Sequence, residues 1–257
     1  MSIDIVFSDF DNTLAHSIGG NDTRQIGNEN CWMAEKSVSL LRDISVFVPF
    51  YIVTGRRLSG FKRVSEVLPF CRGIIEHGCI IVENDDIDLD YFRDFKKYVG
   101  EPGKKQGPIW DYERYLIDKG MRTDSKGRLA SFRVFPDGWD DSRRDDFANG
   151  SHPDGLIGVI NQGNVDIIPP IGGKDKAIWR LLQKLSTSWQ NSACLGDDYN
   201  DKEMLSFSGL PITHSGAVPS IRELVNLDGG YLSPFSGHRA TVDMLSYLLK
   251  RVNSPTL

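Results

Sequence analysis

Two stretches of alternating short apolar strands and amphipathic helices, separated by a long segment of different texture, constrain this chain more than any other feature. In the first stretch, residues 3–8 are apolar except for Asp4 and the closing Ser8. Such a run reads as a strand buried on both faces, as in a parallel sheet. Residues 34–42 read as a helix, 46–53 as a second apolar strand ending at Thr54-Gly55, and 59–68 as a helix with Phe61, Val64, Val67 and Leu68 at helical spacing. Short strands are expected at 73–75 and 79–82. The rhythm returns at Lys174, after which Ala177, Ile178, Leu181, Leu182 and Leu185 share one helix face. Residues 193–195 form a short strand, and Gly196 opens a loop into 202–206. Then 210–213, 220–227, 230–232 and 239–251 follow as strand, helix, strand and helix. This alternation predicts a parallel sheet with helices on both faces.

The texture changes near Asp85. Residues 84–90 are rich in acids, and 100–107 are rich in Gly, Lys and Pro. Amphipathic stretches at 91–98 and 110–119 precede strand-like runs at 129–135 and 156–168. Helix–helix–strand–strand is not the rhythm of the two ends. The expected fold class is therefore α/β, with a core domain from 1–85 plus 169–257 and an inserted α+β domain at 86–168.

Composition narrows the function. The 257 residues are 40% hydrophobic and 25% charged, which is ordinary for a globular protein. Lys and Arg total 30 against 35 Asp and Glu, a net charge of -5 that argues against a nucleic-acid partner. No run reaches the ~18–20 apolar residues of a membrane span; the nearest, 44–53, contains Ser45 and Pro49. The opening Met-Ser-Ile-Asp-Ile lacks the basic segment and apolar stretch of a signal peptide. Cys31, Cys71, Cys79 and Cys194 form no CxxC pair, so neither a zinc clip nor a disulfide framework is indicated. A reducing, cytoplasmic setting is expected. Oligomeric state is open.

In parallel sheets, ligands sit outside the carboxyl ends of the strands. Asp9 and Asp11 follow the first strand, two residues apart, and point to one side if the strand continues; the same residues also suit a turn or a cap. Thr54-Gly55-Arg56 offers a hydroxyl and a flexible backbone N–H for one anionic oxygen, or simply a helix N-cap. Lys174, after Gly172-Gly173, sits in a first helical turn, a small local cost. Either it is solvated or it has an anion to meet, and Lys176 is its rival. Asp197, Asp198, Asn200 and Asp201 follow a fourth apolar strand. They are hard oxygen donors that suit magnesium, or an acidic helix N-terminus. On one rim of one sheet, the four together would offer a metal, a nucleophile, an acid and two phosphate holders.

These residues resemble the motifs of the haloacid dehalogenase superfamily of phosphatases. DFDNTL (9–14) resembles its first motif, IVTGR (52–56) its second, Lys174 in GGKDKAI its third and GDDYND (196–201) its fourth. The resemblance covers about 1–85 and 165–250. It implies a Rossmann-like core with the inserted segment as a C2-type cap. IIEHGCIIV resembles the "ENGA" turn before the cap, and VDIIPPIGGKDKAI the segment leaving it, in the Cof-like branch and the sucrose-, mannosylglycerate- and trehalose-phosphate phosphatases. Asn12 stands where Gly is more usual, His77 replaces Asn, Asp175 replaces Gly, and Thr213-His214-Ser215 replaces a small-residue turn.

The resemblance implies a magnesium-dependent phosphatase acting on a small-molecule phosphate ester, a sugar phosphate by family weighting. Asp9 would be the nucleophile, ionised, and Asp11 the general acid and base, protonated at the start. Magnesium would bind the Asp9 carboxylate, the Asp11 carbonyl and Asp197. Asn200 and Asp201 would act through water or by orienting Lys174, with Asp198 ambiguous. Thr54, Gly55 and Lys174 would hold the phosphoryl oxygens. From the cap, Arg133, Asn161 and Gln162 are candidates to meet a polyol, or are solvated strand positions. Arg56 and His77 are further substrate candidates. Arg56 and Arg57 either reach the cap or substrate or form surface salt bridges. The rival readings are a phosphomutase and a non-catalytic module that binds a phosphorylated ligand.

Overall fold

A computed structural model describes residues 2–27 and 30–253; residues 1, 28–29 and 254–257, which the sequence reading assigns to the first domain, lie outside the described residues. The chain opens with β1 (Ile5–Ser8), a hairpin of β2 (Thr23–Gln25) and β3 (Trp32–Ala34), α1 (Glu35–Phe47), β4 (Phe50–Val53), α2 (Leu58–Ser65), β5 (Arg72–Ile75), β6 (Ile80–Glu83) and β7 (Asp86–Ile87). The middle contributes α3 (Leu89–Phe92), α4 (Lys96–Val99), α5 (Pro108–Asp118), β8 (Thr123–Asp124), β9 (Phe132–Val134), α6 (Asp141–Asn149), β10 (Ile157–Asn161) and β11 (Asn164–Ile168). It closes with α7 (Lys174–Lys184), β12 (Ser192–Leu195), α8 (Lys202–Phe207), β13 (Leu210–His214), α9 (Pro219–Leu227), β14 (Tyr231–Ser233) and α10 (Gly237–Asn253).

The expected alternation builds an eight-stranded sheet in the order β14-β13-β12-β1-β4-β5-β6-β7. Strands β14 to β5 pair in parallel, and β6 and β7 add antiparallel at one edge. Every residue of β1, β4 and β12 is buried. A strand buried on both faces needs cover on both sides, which is why these runs carry no polar alternation. Helix α1 packs beside α10, while α8 lies between α7 and α9. A four-stranded antiparallel sheet, β10-β11-β9-β8, forms the cap. No helix among the described residues is long and apolar enough to cross a membrane.

Three expectations are corrected. The strand read at 46–53 is split: α1 runs on to Phe47, and β4 begins only at Phe50. Val46 is apolar but 78% exposed on the outer side of the helix, and Ile44 is its last buried residue. The run at 156–168 is a hairpin, because Gln162 (φ 50) and Gly163 (φ 76) turn the chain between β10 and β11. Two left-handed residues in a row are what a tight hairpin turn requires. Finally, α6 interrupts the helix–helix–strand–strand order. Its sequence, DSRRDDFAN, carries no apolar stripe, and Ala148 is its buried residue.

The topology places the site. Val6 of β1 pairs with Ala193 of β12 on one side and with Phe50 of β4 on the other. The chain therefore reverses its direction of strand addition at β1, the switch point at which open α/β sheets bind ligands. Asp9, Thr54 and Gly196 each follow the last residue of one of these three neighbouring strands.

Candidate active site

The loop after β1 is fixed by its backbone. The Asp9 amide donates to the Leu195 carbonyl (2.8 Å), and the Leu14 and Ala15 amides both donate to the Phe10 carbonyl (2.9 Å each). Asn12 sits at φ 63. Glycine meets that requirement without strain and Asn tolerates it, which explains the exchange noted in the sequence. After β12, Gly196 leaves room for Asp201, whose Cβ lies 2.6 Å from where a glycine Cβ would be. Asp201 Oδ2 accepts from the amides of Asp197 (3.0 Å) and Asp198 (3.2 Å), closing the turn on itself. The Asp198 side chain accepts from the Tyr199 amide as an N-cap.

Lys174 is the hub. As the first residue of α7 its side chain is buried, and Nζ donates to Asp9 Oδ1 (2.6 Å) and Asp201 Oδ1 (2.6 Å), with Asn200 Oδ1 at 3.5 Å. The anion that a first-turn lysine needs is thus a pair of carboxylates. Asp9, Asp197 and Asp201 offer carboxylate oxygens within 4.8 Å of one another, and Thr13 Oγ1 donates to Asp197 Oδ1 (2.9 Å). Burial raises the Asp9 carboxyl well above its ordinary range; Lys174 opposes the shift, and Asp201 and Asp197 add to it. Asp197 is pushed up to about 7, first by burial and then by Asp201. Burial alone would lower the Lys174 ammonium, but Asp201 and Asp9 together raise it. Three crowded carboxylates facing one ammonium leave excess negative charge. A hard divalent cation relieves such an excess, and the all-oxygen donor set suits magnesium.

Thr54 is buried, and its Oγ1 accepts from the Arg56 amide (3.2 Å). A Cβ on Gly55 would collide with the His77 ring, so only glycine fits there. Asp11 is turned to Arg56, whose Nε (2.9 Å) and Nη2 (2.6 Å) reach its two oxygens. The guanidinium also lies over the Phe10 ring at 4.9 Å. A cavity of about 260 Å³ opens over these groups. Its core walls include Asp9, Asp11, Thr54, Gly55, Arg56 and Asp197, and the cap contributes Asp124, Arg128, Arg133, Asn161 and Gln162.

The cap candidates are partly spent on one another. Arg133 Nε and Nη2 each donate to Asp166 at 2.7 Å, and Asn161 Nδ2 donates to it at 3.2 Å. His77 lies behind the cavity wall, with Nε2 2.7 Å from the same carboxylate. Burial pushes the His77 pKa down against the opposing pull of Asp166, and because that partner is a carboxylate, Nε2 is the donor. Burial would raise Asp166, but the bonds from Arg133 and His77 hold it well below its usual range.

Glu76, His77 and Gly78 form a left-handed turn (φ 48, 55 and 87). Glu76 is fully buried and accepts from the Leu129 amide (2.8 Å), the Ala130 amide (2.9 Å) and Ser131 Oγ (2.8 Å), which ties this core turn to the cap. A Cβ on Gly78 would overlap the Gly173 carbonyl oxygen. Gly78→Ala is therefore expected to cost roughly 2 kcal/mol or more of stability, read from its denaturant midpoint. A midpoint equal to the native protein's would contradict this packing.

The sequence reading missed Thr13, Glu76, Arg128 and Asp166 as functional neighbours. Asp166 carried a signal, an acid in the middle of the apolar strand NVDII, which asks for a buried partner. Arg128 carried none.

Comparison with known proteins bears on the fold that carries this geometry. A family model described as haloacid dehalogenase-like hydrolase matches residues 149–227. A comparison with curated proteins yields no match. Among solved structures, a Thermoplasma acidophilum protein aligns over 98% of this chain and 99% of its own, with a TM-score of 0.71 and 16% identity. A haloacid dehalogenase-like hydrolase from B. subtilis covers 96% and 100% (TM-score 0.70, 14% identity). The sucrose-phosphatase of Synechocystis, solved with sucrose and phosphate, covers 96% and 98% (TM-score 0.64, 15% identity). At such identities the likeness is one of fold. The matched segment is thus similar to the haloacid dehalogenase-like hydrolases, and the chain as a whole shares the fold of these solved structures.

Proposed function

We propose that this protein is a magnesium-dependent phosphatase of a small phosphorylated metabolite, working through an aspartyl-phosphate at Asp9. The observation that carries the reading is Lys174, held at 2.6 Å from both Asp9 and Asp201 at the sheet's switch point, with Asp9 on the wall of a cavity that core and cap line together. An Asp9 oxygen attacks phosphorus, and the bond to the leaving alkoxide breaks as Asp11 gives it a proton. Water, deprotonated by Asp11, then attacks the same phosphorus and frees the Asp9 carboxylate together with inorganic phosphate. Both Asp11 oxygens are occupied by Arg56. That pair must open for Asp11 to reach the leaving oxygen, and an arriving phosphoryl group offers Arg56 another anion. Thr54, the Gly55 amide and Lys174 receive the phosphoryl oxygens, fixing donors where charge develops. Asp9 and Asp197, with the Asp11 main-chain carbonyl, would hold magnesium, which supplies positive charge to the phosphoryl oxygens. Asp201 and Asn200 orient Lys174.

A sugar phosphate is supported by the fold shared with the sucrose-phosphatase and by the polar cap side chains Asp124, Asn161 and Gln162 on the cavity wall. The four cysteines are free and buried, which supports a reducing, cytoplasmic setting. The test is a panel of phosphomonoesters, with and without magnesium, read as inorganic phosphate. Magnesium-dependent release is the expected result. Isomerised hexose phosphate without net release would instead make it a mutase, and binding without turnover a non-catalytic module.

A further inference from the structure

Arg128 is a buried cation in this cavity that the chemistry above leaves unused. It lies between β8 and β9, lines the cavity, and is only 7% exposed. Its Nη1 donates to Ser131 Oγ (3.1 Å) and approaches the Gly55 carbonyl (3.4 Å). Its Nε is buried without a hydrogen-bond partner among the described residues. The nearby Asp166 is 3.7 Å from Nη2 and already accepts from Arg133, His77 and Asn161. The neighbouring Glu76 gives its oxygens to Leu129, Ala130 and Ser131. A guanidinium so deeply buried, whose ion pair with Asp166 (3.7 Å) is shared with three closer donors and which has no carboxylate at hydrogen-bond distance among the described residues, carries a desolvation cost that a bound anion offsets.

Arg57 faces the same cavity from the core. Its Nη1 donates to the Lys126 carbonyl (2.6 Å), and no carboxylate pairs with it among the described residues. Asp124, a cap acid on this wall, accepts from the Lys126 amide (2.9 Å). Arg56 and Arg133, by contrast, are each taken at both ends by one carboxylate.

We propose that Arg57 and Arg128 form a subsite for a second anionic group, a carboxylate or a second phosphate, on the leaving-group side of the substrate. The inference rests on the phosphatase reading and narrows its substrate to a phosphorylated acid or a bisphosphate. The planar guanidinium fork matches either oxyanion, and the cavity of about 260 Å³ holds a ligand of that size.

The test is calorimetric binding to the full chain carrying Asp9→Asn, with magnesium, of a hexose monophosphate, a hexose bisphosphate and a phosphorylated aldonic acid. The bisphosphate, the acid or both should bind roughly tenfold to a hundredfold more tightly than the monophosphate. Which ligand gains identifies the second group. Arg128→Gln should collapse that ratio toward one, Arg128→Lys should keep part of it, and the half-buried Arg57→Gln should lower it by an independent route. Equal affinities for all three ligands, or an Arg128→Gln loss shared equally by all of them, would overturn the subsite. Turnover of p-nitrophenyl phosphate by the unsubstituted chain reports separately on the phosphatase reading. Turnover without the ratio rejects the subsite alone, and the ratio without turnover rejects the reading while leaving the subsite standing.

Discussion

Asp9→Asn is expected to leave a folded protein whose phosphate release is slower by about 10⁴-fold or more. The amide keeps the size of the carboxylate and an oxygen at the position that accepts from Lys174, at 2.6 Å in the native protein. It is not a nucleophile toward phosphorus. The fold should tolerate the change well, because burial and the nearby Asp201 and Asp197 already favour a neutral group at this position. The melting temperature without magnesium should therefore be equal to or above that of the native protein, which separates lost chemistry from lost structure. Two measurements check this: initial rates of phosphate release, and mass spectrometry of acid-quenched turnover. A phosphoryl adduct on the peptide containing Asp9 is expected in the native protein and not in the variant. A variant rate within tenfold of native would move the nucleophile elsewhere.

The parts of this site that were legible in the sequence are those that the fold puts at strand ends. A short, fully buried run such as 5–8, apolar but for Ser8, has one stable environment, the middle of a covered parallel sheet, so the residues just after it must lie on the rim. Asp9, Thr54 and Asp197 follow from that reasoning, whereas Lys174 was legible as a lysine opening a helix, where the dipole disfavours it. The cap was less legible. Its strands are short, β8 and β9 having two and three residues, and α6 is charged along its length. Periodicity has little to work on in such elements. The junction was hidden for a different reason. Glu76 reads as an ordinary acid in a turn, and only the folded chain brings the amides of Leu129 and Ala130 to it. Likewise Asp11 and Arg56 lie 45 positions apart, and their pairing needs β1 and β4 side by side. Val46 shows the opposite error, an apolar residue on an exposed helix face that imitates the start of a strand.

Asp197→Asn tests the metal site through stability as well as rate. The Asp197 carboxyl is pushed from its ordinary 3.8 to about 7 by burial and by Asp201. An acid whose pKa is higher folded than unfolded takes up a proton on folding between those two values. Its contribution therefore favours the native state at low pH, and this is lost as pH rises from 3.8 toward about 7. Magnesium competes with that proton, so its apparent affinity should be about tenfold higher near pH 8 than near pH 6. The rise in melting temperature that it causes should grow in the same direction. The raised Asp9 carboxyl can only steepen the dependence. The asparagine keeps an oxygen for the hydrogen bond from Thr13 (2.9 Å) but removes the charge. Near pH 8 and without magnesium the variant should thus melt above the native protein, a gain bought by losing a ligand. Its magnesium requirement for phosphate release should rise roughly tenfold to a hundredfold. A magnesium titration that does not move, or a melting response to magnesium equal at both pH values, would remove Asp197 from the metal site and with it the reason for three carboxylates to be buried around one lysine.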